Sequence, residues 1–268
     1  MLKRLSDKYS GALKVIIILV LVLAVVFSIS KFLKSAYVVP VLMYHKIDNN
    51  FMNSKLSVSP KSFEKQMRFL RKKNYNIVSL DKLKMLLSSK LPIPRKTIAV
   101  TFDDGYKNNY TAAFPTLKKY SIPATVFVVT DKVGRDGYMS WDDLKEMSEN
   151  NIHIGSHTVS ECFLPDIKDK EQLRKEIFDS RKIIRKKLPG QAEFFGYCSG
   201  GFNEEIRNLV IEAGYKGACA TNPGKDYPKH DIYAMKRQRI SRTSDNLVVF
   251  WIESSGFYTW IKEHRDDD

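Results

Sequence analysis

Hydrophobic and polar positions change rhythm along this chain. Residues 15–30, VIIILVLVLAVVFSIS, carry no charge between Lys14 and Lys31. Beyond residue 38, short apolar runs alternate with longer stretches in which apolar positions recur every three or four residues. The runs VPVLMYHKI (39–47), TIAVTF (97–102), ATVFVV (124–129), IHIGSH (152–157) and KGACAT (216–221) predict strands, and EFFGYCSG (193–200) a strand running into a loop. Helices are predicted over 61–74, 81–90, 109–120, 140–150, 170–188 and 203–214. Ser59-Pro60 and Ser140 supply start signals, and Gly214 a stop. Strand and helix alternate, which predicts an α/β fold with a mainly parallel sheet. In such folds the chemistry gathers at the carboxyl ends of the strands. Asp103, Asp104, His157, His45 and the 197–201 loop all fall at such ends.

The N-terminal run changes the picture of location. With Ala12, Leu13, Phe32 and Leu33 its apolar reach is about 20 residues, enough to cross a bilayer if the flanking lysines snorkel. Lys3, Arg4, Lys8 and Lys14 precede it, which predicts a cytoplasmic N-terminus. The rival is a cleaved signal peptide, but Lys34 spoils Ser35-Ala36 as a cleavage site. The expected organisation is residues 1–35 as basic segment, single-pass anchor and stalk (31–39), and 36–268 as one extracellular domain.

Composition is that of a globular chain: 43% apolar and 28% charged over 268 residues. The net charge of +14 admits an anionic membrane surface or polymer as partner. Nucleic acid is not expected, because no zinc-finger spacing, RNA-binding aromatic signature or arginine-rich helix is present. Cys162, Cys198 and Cys219 are too few for a disulfide framework, so the fold rests on its core.

The stretch IAVTFDDGY (98–106) asks for an explanation. Two adjacent carboxylates at the end of a buried strand repel and lose water, and need a bound cation or an exposed turn. A turn at Gly105 would let both reach one pocket, one as metal ligand and one as base. An ordinary Asp-Gly turn is the alternative. His157 is followed four residues later by Glu161; if 157–161 form a helical turn, both side chains can touch one ion. His153 is four residues back along a strand, about 13 Å away, and is expected to be structural. His45 gains interest from its place on the same face. The loop Tyr197-Cys198-Ser199-Gly200-Gly201 could offer N–H groups as an oxyanion hole, or be a plain turn.

Together these segments resemble the polysaccharide deacetylase family, carbohydrate esterase family 4. TFDDGY (101–106) matches its first motif and GSHTVSE (155–161) the start of its His-Ser/Thr-x-x-His motif. FFGYCSGGFNEE (194–205) is similar to its third-motif loop, and VPVLMYHKI to the opening of the poly-N-acetylglucosamine deacetylase branch. The resemblance covers roughly residues 38–245. It implies a distorted (β/α) barrel and a divalent metal, zinc first, with manganese, cobalt or magnesium as alternatives. The implied reaction is hydrolysis of an N-acetyl group on a glycan. Asp104 and His157 would be metal ligands, Asp103 the base that deprotonates the attacking water, and His45 the acid that protonates the leaving amine. Tyr197 and Gly200 would frame the oxyanion. The second metal histidine is Glu161 here, or Cys162 if the register is one longer. Cys198-Ser199 replaces the family's proline and its neighbour. No arginine stands out as a partner for Asp103.

The leading expectation is a monomeric, membrane-anchored N-deacetylase of cell-surface polysaccharide. A catalytically impaired glycan-binding or scaffolding module is the alternative, motivated by Glu161. An esterase acting on O-acetyl groups would use the same residues. The aromatic stretch 250–264 could pack on the barrel or face sugar or membrane.

Overall fold

The computed structural model describes residues 2–49, 56–89, 91–221, 223–224 and 227–265. The chain divides into two units, residues 1–37 and 38–268. The first is a single helix, α1 (Leu2–Ala36). Its segment Leu13–Ala36 has a mean hydropathy of 3.0 over its most apolar window. Among the described residues it is the one helix long and apolar enough to cross a membrane. The expected stalk over 31–39 is instead helical as far as Ala36; no Gly or Pro interrupts the chain between Ala12 and Val39.

The second unit contains strands β1 (Val41–Tyr44), β2 (Lys46–Ile47), β3 (Ser57–Val58), β4 (Asn76–Ile77), β5 (Thr97–Phe102), β6 (Ala124–Val128), β7 (Ile152–Ser156), β8 (Phe194–Gly196), β9 (Gly217–Ala220) and β10 (Met235–Arg239). Seven of them close a ring in the order β1-β10-β9-β8-β7-β6-β5, and β5 returns to β1. Every pairing in the ring is parallel. This is the expected (β/α) barrel. Its distortion is visible at the β7–β8 join, held by the single register pair Ser156–Phe195. β4 extends the sheet beyond β5, and β2 pairs with β3 apart from the barrel.

The helices of this unit are α2 (Pro60–Lys72), α3 (Leu80–Ser88), α4 (Phe114–Lys119), α5 (Trp141–Ser148), α6 (Lys170–Lys187), α7 (Glu204–Glu212), α8 (Leu247–Glu253) and α9 (Tyr258–Arg265). Local signals explain their starts. Ser59 accepts from the Ser62 N–H, and Ser140 forms a reciprocal capping box with Asp143. α2 buries Phe63, Met67 and Leu70, the residues spaced to share a face. The helix expected over 109–120 is broken into a π turn, Asn109–Ala113, followed by α4. Pro115 has no N–H to donate, and the wider turn absorbs the loss.

Inside the barrel the strands bury both faces, as a parallel sheet covered by helices requires. Phe127 of β6 fills the interior. A Cβ on Gly155 would lie 2.5 Å from the Phe127 ring, and one on Gly196 2.9 Å from it. These two glycines on β7 and β8 therefore make room for one aromatic side chain, directly beneath the strand ends that carry the candidate chemistry.

Candidate active site

β5 ends at Phe102, and the next residue turns its carboxylate inward. The Asp103 N–H bonds to Tyr44 O at 2.9 Å, fixing the two strand ends together. Asp104 and Gly105 both adopt left-handed backbone, with φ of 71° and 77°. This double reversal keeps two consecutive carboxylates at one mouth of the barrel, where an extended strand would point them apart. Position 105 needs glycine twice over, because a Cβ there would also press to 3.1 Å from Val128.

Asp103 is buried and accepts a 2.6 Å hydrogen bond from Arg237 Nη1. Burial pushes its carboxyl up, but Arg237, His157 and His45 outweigh burial and hold it below the ordinary value. Asp103 therefore stands ionised. Arg237 lies in β10 over the face of Phe127, 5.5 Å from the ring centroid. This is the arginine that could not be singled out in the sequence. It sits in MKRQR, whose charges suggest solvent exposure although four of its five residues are buried.

His157 is 3% exposed. Its Nδ1 lies 2.7 Å from Gly196 O, and its Nε2 faces Asp104 Oδ1 at 3.6 Å and Asp103 Oδ2 at 3.9 Å. Burial opposes its proton, yet Cys198 and the two carboxylates favour it, and the pKa is pushed up to about 10. A cation held by His157 would have to take the place of that proton. Burial, then the nearby Asp104 carboxylate, raise the Tyr106 phenol, so it stays protonated. Its ring stacks on Tyr138 at 5.2 Å, with Lys46 Nζ 4.6 Å above it.

His45 links β1 and β2, and its carbonyl accepts from Asn109 at 2.7 Å. Burial lowers its pKa, the two aspartates act against that, and Arg237 and His157 reinforce it. All four groups are thus near enough to act on its charge. Its Nδ1 is buried and unpartnered among the described residues. His153 lies apart, 3.9 Å from Asp81.

Glu161 is elsewhere. Residues 157–161 do not form a helical turn: Thr158 and Glu161 have φ of 68° and 66°. The carboxylate of Glu176 on α6 accepts the N–H groups of Val159 and Ser160, both at 2.9 Å, and pulls the segment into a loop. The Glu161 side chain pairs with Lys132. Burial raises the Cys162 thiol to about 11, so it stays protonated, and it packs against an apolar cluster. Neither residue joins Asp104 and His157. Among the described residues no group of three His, Cys, Asp or Glu side chains is placed to hold an ion.

The donors that are present nevertheless fit a divalent cation. Asp104 and His157 converge from two strand ends, and Gly196 O orients the ring so that Nε2 faces the carboxylates, the usual support of a metal-binding histidine. Among the described residues no third side chain of this kind stands with them, because Glu161 is turned to Lys132.

The 197–201 turn differs from the expectation in detail. The Tyr197 N–H bonds to Cys219 O, and the Gly200 N–H closes the turn on Tyr197 O. Sheet pairing and turn closure thus use the N–H groups of both residues assigned to the oxyanion. Tyr197 itself is buried, stacked on Phe202 at 4.4 Å. Cys198 donates to His157 O, tying this loop to the candidate ligand.

The comparisons agree with this architecture. Residues 90–218 match the polysaccharide deacetylase family model. The YxkH protein of Bacillus subtilis (strain 168), assigned by name to the polysaccharide deacetylases, is 32% identical over 202 residues. The match spans 75% of this chain and 71% of that protein. The poly-beta-1,6-N-acetyl-D-glucosamine N-deacetylase of Staphylococcus aureus (strain MRSA252) is 25% identical over 237 residues, 78% of this chain and 81% of that one. Among solved structures, the Streptococcus pyogenes deacetylase PplD in complex with acetate superposes with a TM-score of 0.71 at 26% identity. It covers 79% of this chain and 97% of that one. The closed parallel barrel, the paired aspartates at its mouth and these likenesses place the chain in the polysaccharide deacetylase family.

Proposed function

We propose that this chain is a metal-dependent N-deacetylase of a cell-surface polysaccharide built on N-acetylglucosamine-type sugars. It acts as a monomer, held in the cell membrane by residues 1–35, with the N-terminus cytoplasmic and the domain 36–268 outside. The observation that carries the reading is the facing of Asp104 Oδ1 and His157 Nε2, 3.6 Å apart, beside an Asp103 kept ionised by Arg237.

In this reading Asp104 and His157 hold a divalent ion, zinc first and manganese, cobalt or magnesium otherwise, with Glu161 or Cys162 reaching it only if the loop reorganises. Such an ion supplies polarisation of the amide carbonyl and a lowered pKa for the attacking water. Asp103 accepts the water proton as the oxygen attacks the acetyl carbon. The N–H groups of Tyr197, Gly200 and Gly201 are already bonded within the sheet and turn, so any N–H of this turn that meets the oxygen of the tetrahedral centre comes from Cys198 or Ser199. His45 then gives its proton to the amine nitrogen as the C–N bond breaks, releasing acetate and a free amino sugar. Burial makes the His45 imidazolium a stronger acid than usual, which suits a donor to a poorly leaving amine.

A second reading has one observation in its favour. Glu161 pairs with Lys132 and away from the ligands, as in a glycan-binding module that has lost its metal. Acetate release from N-acetylated glucosamine oligomers separates the two. The full chain, stripped by chelator and reloaded with zinc, is expected to regain turnover. Absence of release under every metal supports the binding module. Faster release from matched O-acetylated sugars would make it an esterase.

A further inference from the structure

α8 is built inside out. Its inner face carries Phe250, fully buried, and the acidic Glu253, 6% exposed. Its outer face carries Leu247, Val248, Trp251 and Ile252, spaced one turn apart, with Val248 62% and Trp251 55% exposed. Ile261 of α9, which packs against α8, is exposed as well. From Asn246 to Ile261 the sole charged residue is Glu253, so this outward surface has no charge of its own. A surface of large aliphatic residues and a tryptophan is what a soluble barrel hides, and nothing in the catalytic scheme uses it.

The chain itself indicates what covers it. The Val38 N–H bonds to Gly256 O at 2.8 Å, in the turn between α8 and α9. Val38 lies two residues beyond Ala36, where the apolar segment ends. Two residues span at most about 7 Å of extended chain. The turn that follows α8 is therefore held two residues along the chain from the end of the bilayer-length segment. Tryptophan and aliphatic side chains without charge are the chemistry that settles at the level of lipid headgroups and upper acyl chains.

We infer that the outer face of α8, Leu247, Val248, Trp251 and Ile252, docks on the lipid surface beside the anchor. The domain is then held against the membrane at two points. This inference rests on the reading of α1 as a membrane anchor.

The test uses the full chain in phosphatidylcholine–phosphatidylglycerol vesicles, with Trp141→Phe and Trp260→Phe so that Trp251 alone reports. Flotation and resistance to alkaline carbonate come first. A chain that does not float overturns the anchor and, with it, the docking. In a chain that floats, lipid brominated near the top of its acyl chains is expected to cut Trp251 emission about twofold, while aqueous iodide quenches weakly. Val248→Glu with Ile252→Glu is expected to reopen Trp251 to iodide, with flotation and deacetylation unchanged. Trp251 open to iodide and indifferent to brominated lipid overturns the docking while leaving the anchor in place. Protection that appears only at high protein-to-lipid ratio identifies a second copy as the cover and also overturns it. So does protection that needs added N-acetylglucosamine oligomers, which would make the face a sugar platform.

Discussion

Asp103 sits between opposed influences, burial that favours its neutral form and Arg237 that favours its charge. Removing its ionisable oxygen with Asp103→Asn is expected to lower kcat by about 10²–10⁴-fold, the usual range for a lost general base. Folding and metal content should be kept, because Asp104 and His157 are untouched. Wild-type turnover in that variant would take Asp103 out of the mechanism. Arg237→Met makes a different prediction. Without the guanidinium the Asp103 pKa rises, so the acid limb of kcat/KM moves to higher pH. The stranded buried carboxylate also costs about 3–5 kcal/mol of stability. A pH–rate profile and a denaturant titration check the two halves; an unmoved acid limb means Arg237 does not set the base. At this scale the sequence is uneven. Asp103, Asp104, His157 and His45 were legible because each ends an apolar run. Arg237 was not, because its run is charged and only the folded barrel shows those charges buried. Glu161 is expected beside His157 on its spacing and on its place in the family motif, but the pull of Glu176 on residues 159–160 sends it elsewhere.

Among the elements, the tight one is the β6–β7–β8 wall. Phe127 occupies the interior only because residues 155 and 196 lack side chains. Gly155→Ala forces a methyl against the ring at 2.5 Å and is expected to destabilise by about 1–3 kcal/mol. Gly196→Ala crowds both Phe127 and His157 Nδ1, so metal affinity should fall along with stability. Calorimetric metal titration of that variant checks it; unchanged affinity would mean the ring tolerates the shift. The apolar runs predicted β5, β6 and β7 well, since strands buried on both faces are continuous hydrophobic stretches. β10 and α8 escaped that pattern for one reason: the first buries charge and the second exposes hydrophobic side chains, the reverse of what periodicity assumes.

For the molecule as a whole, stability should carry the mark of Glu253, whose carboxyl is buried under α8 with one oxygen unpartnered among the described residues. Burial pushes its pKa from 4.5 up to about 7. Between those values the folded chain keeps a proton that the unfolded chain has lost, so stability falls as pH rises through the window. Glu253→Gln is expected to flatten that slope and to be more stable than wild type at pH 8 by about 1–3 kcal/mol. Parallel pH profiles of the two proteins would refute it. The central claim concerns the mouth of the barrel, and the most direct measurement is the metal content of the full chain by elemental analysis, beside Asp104→Ala and Asp103→Asn. The account predicts one zinc-class ion per chain in wild type and in Asp103→Asn, and none in Asp104→Ala. An ion that survives Asp104→Ala, or no ion under any loading condition, would contradict it.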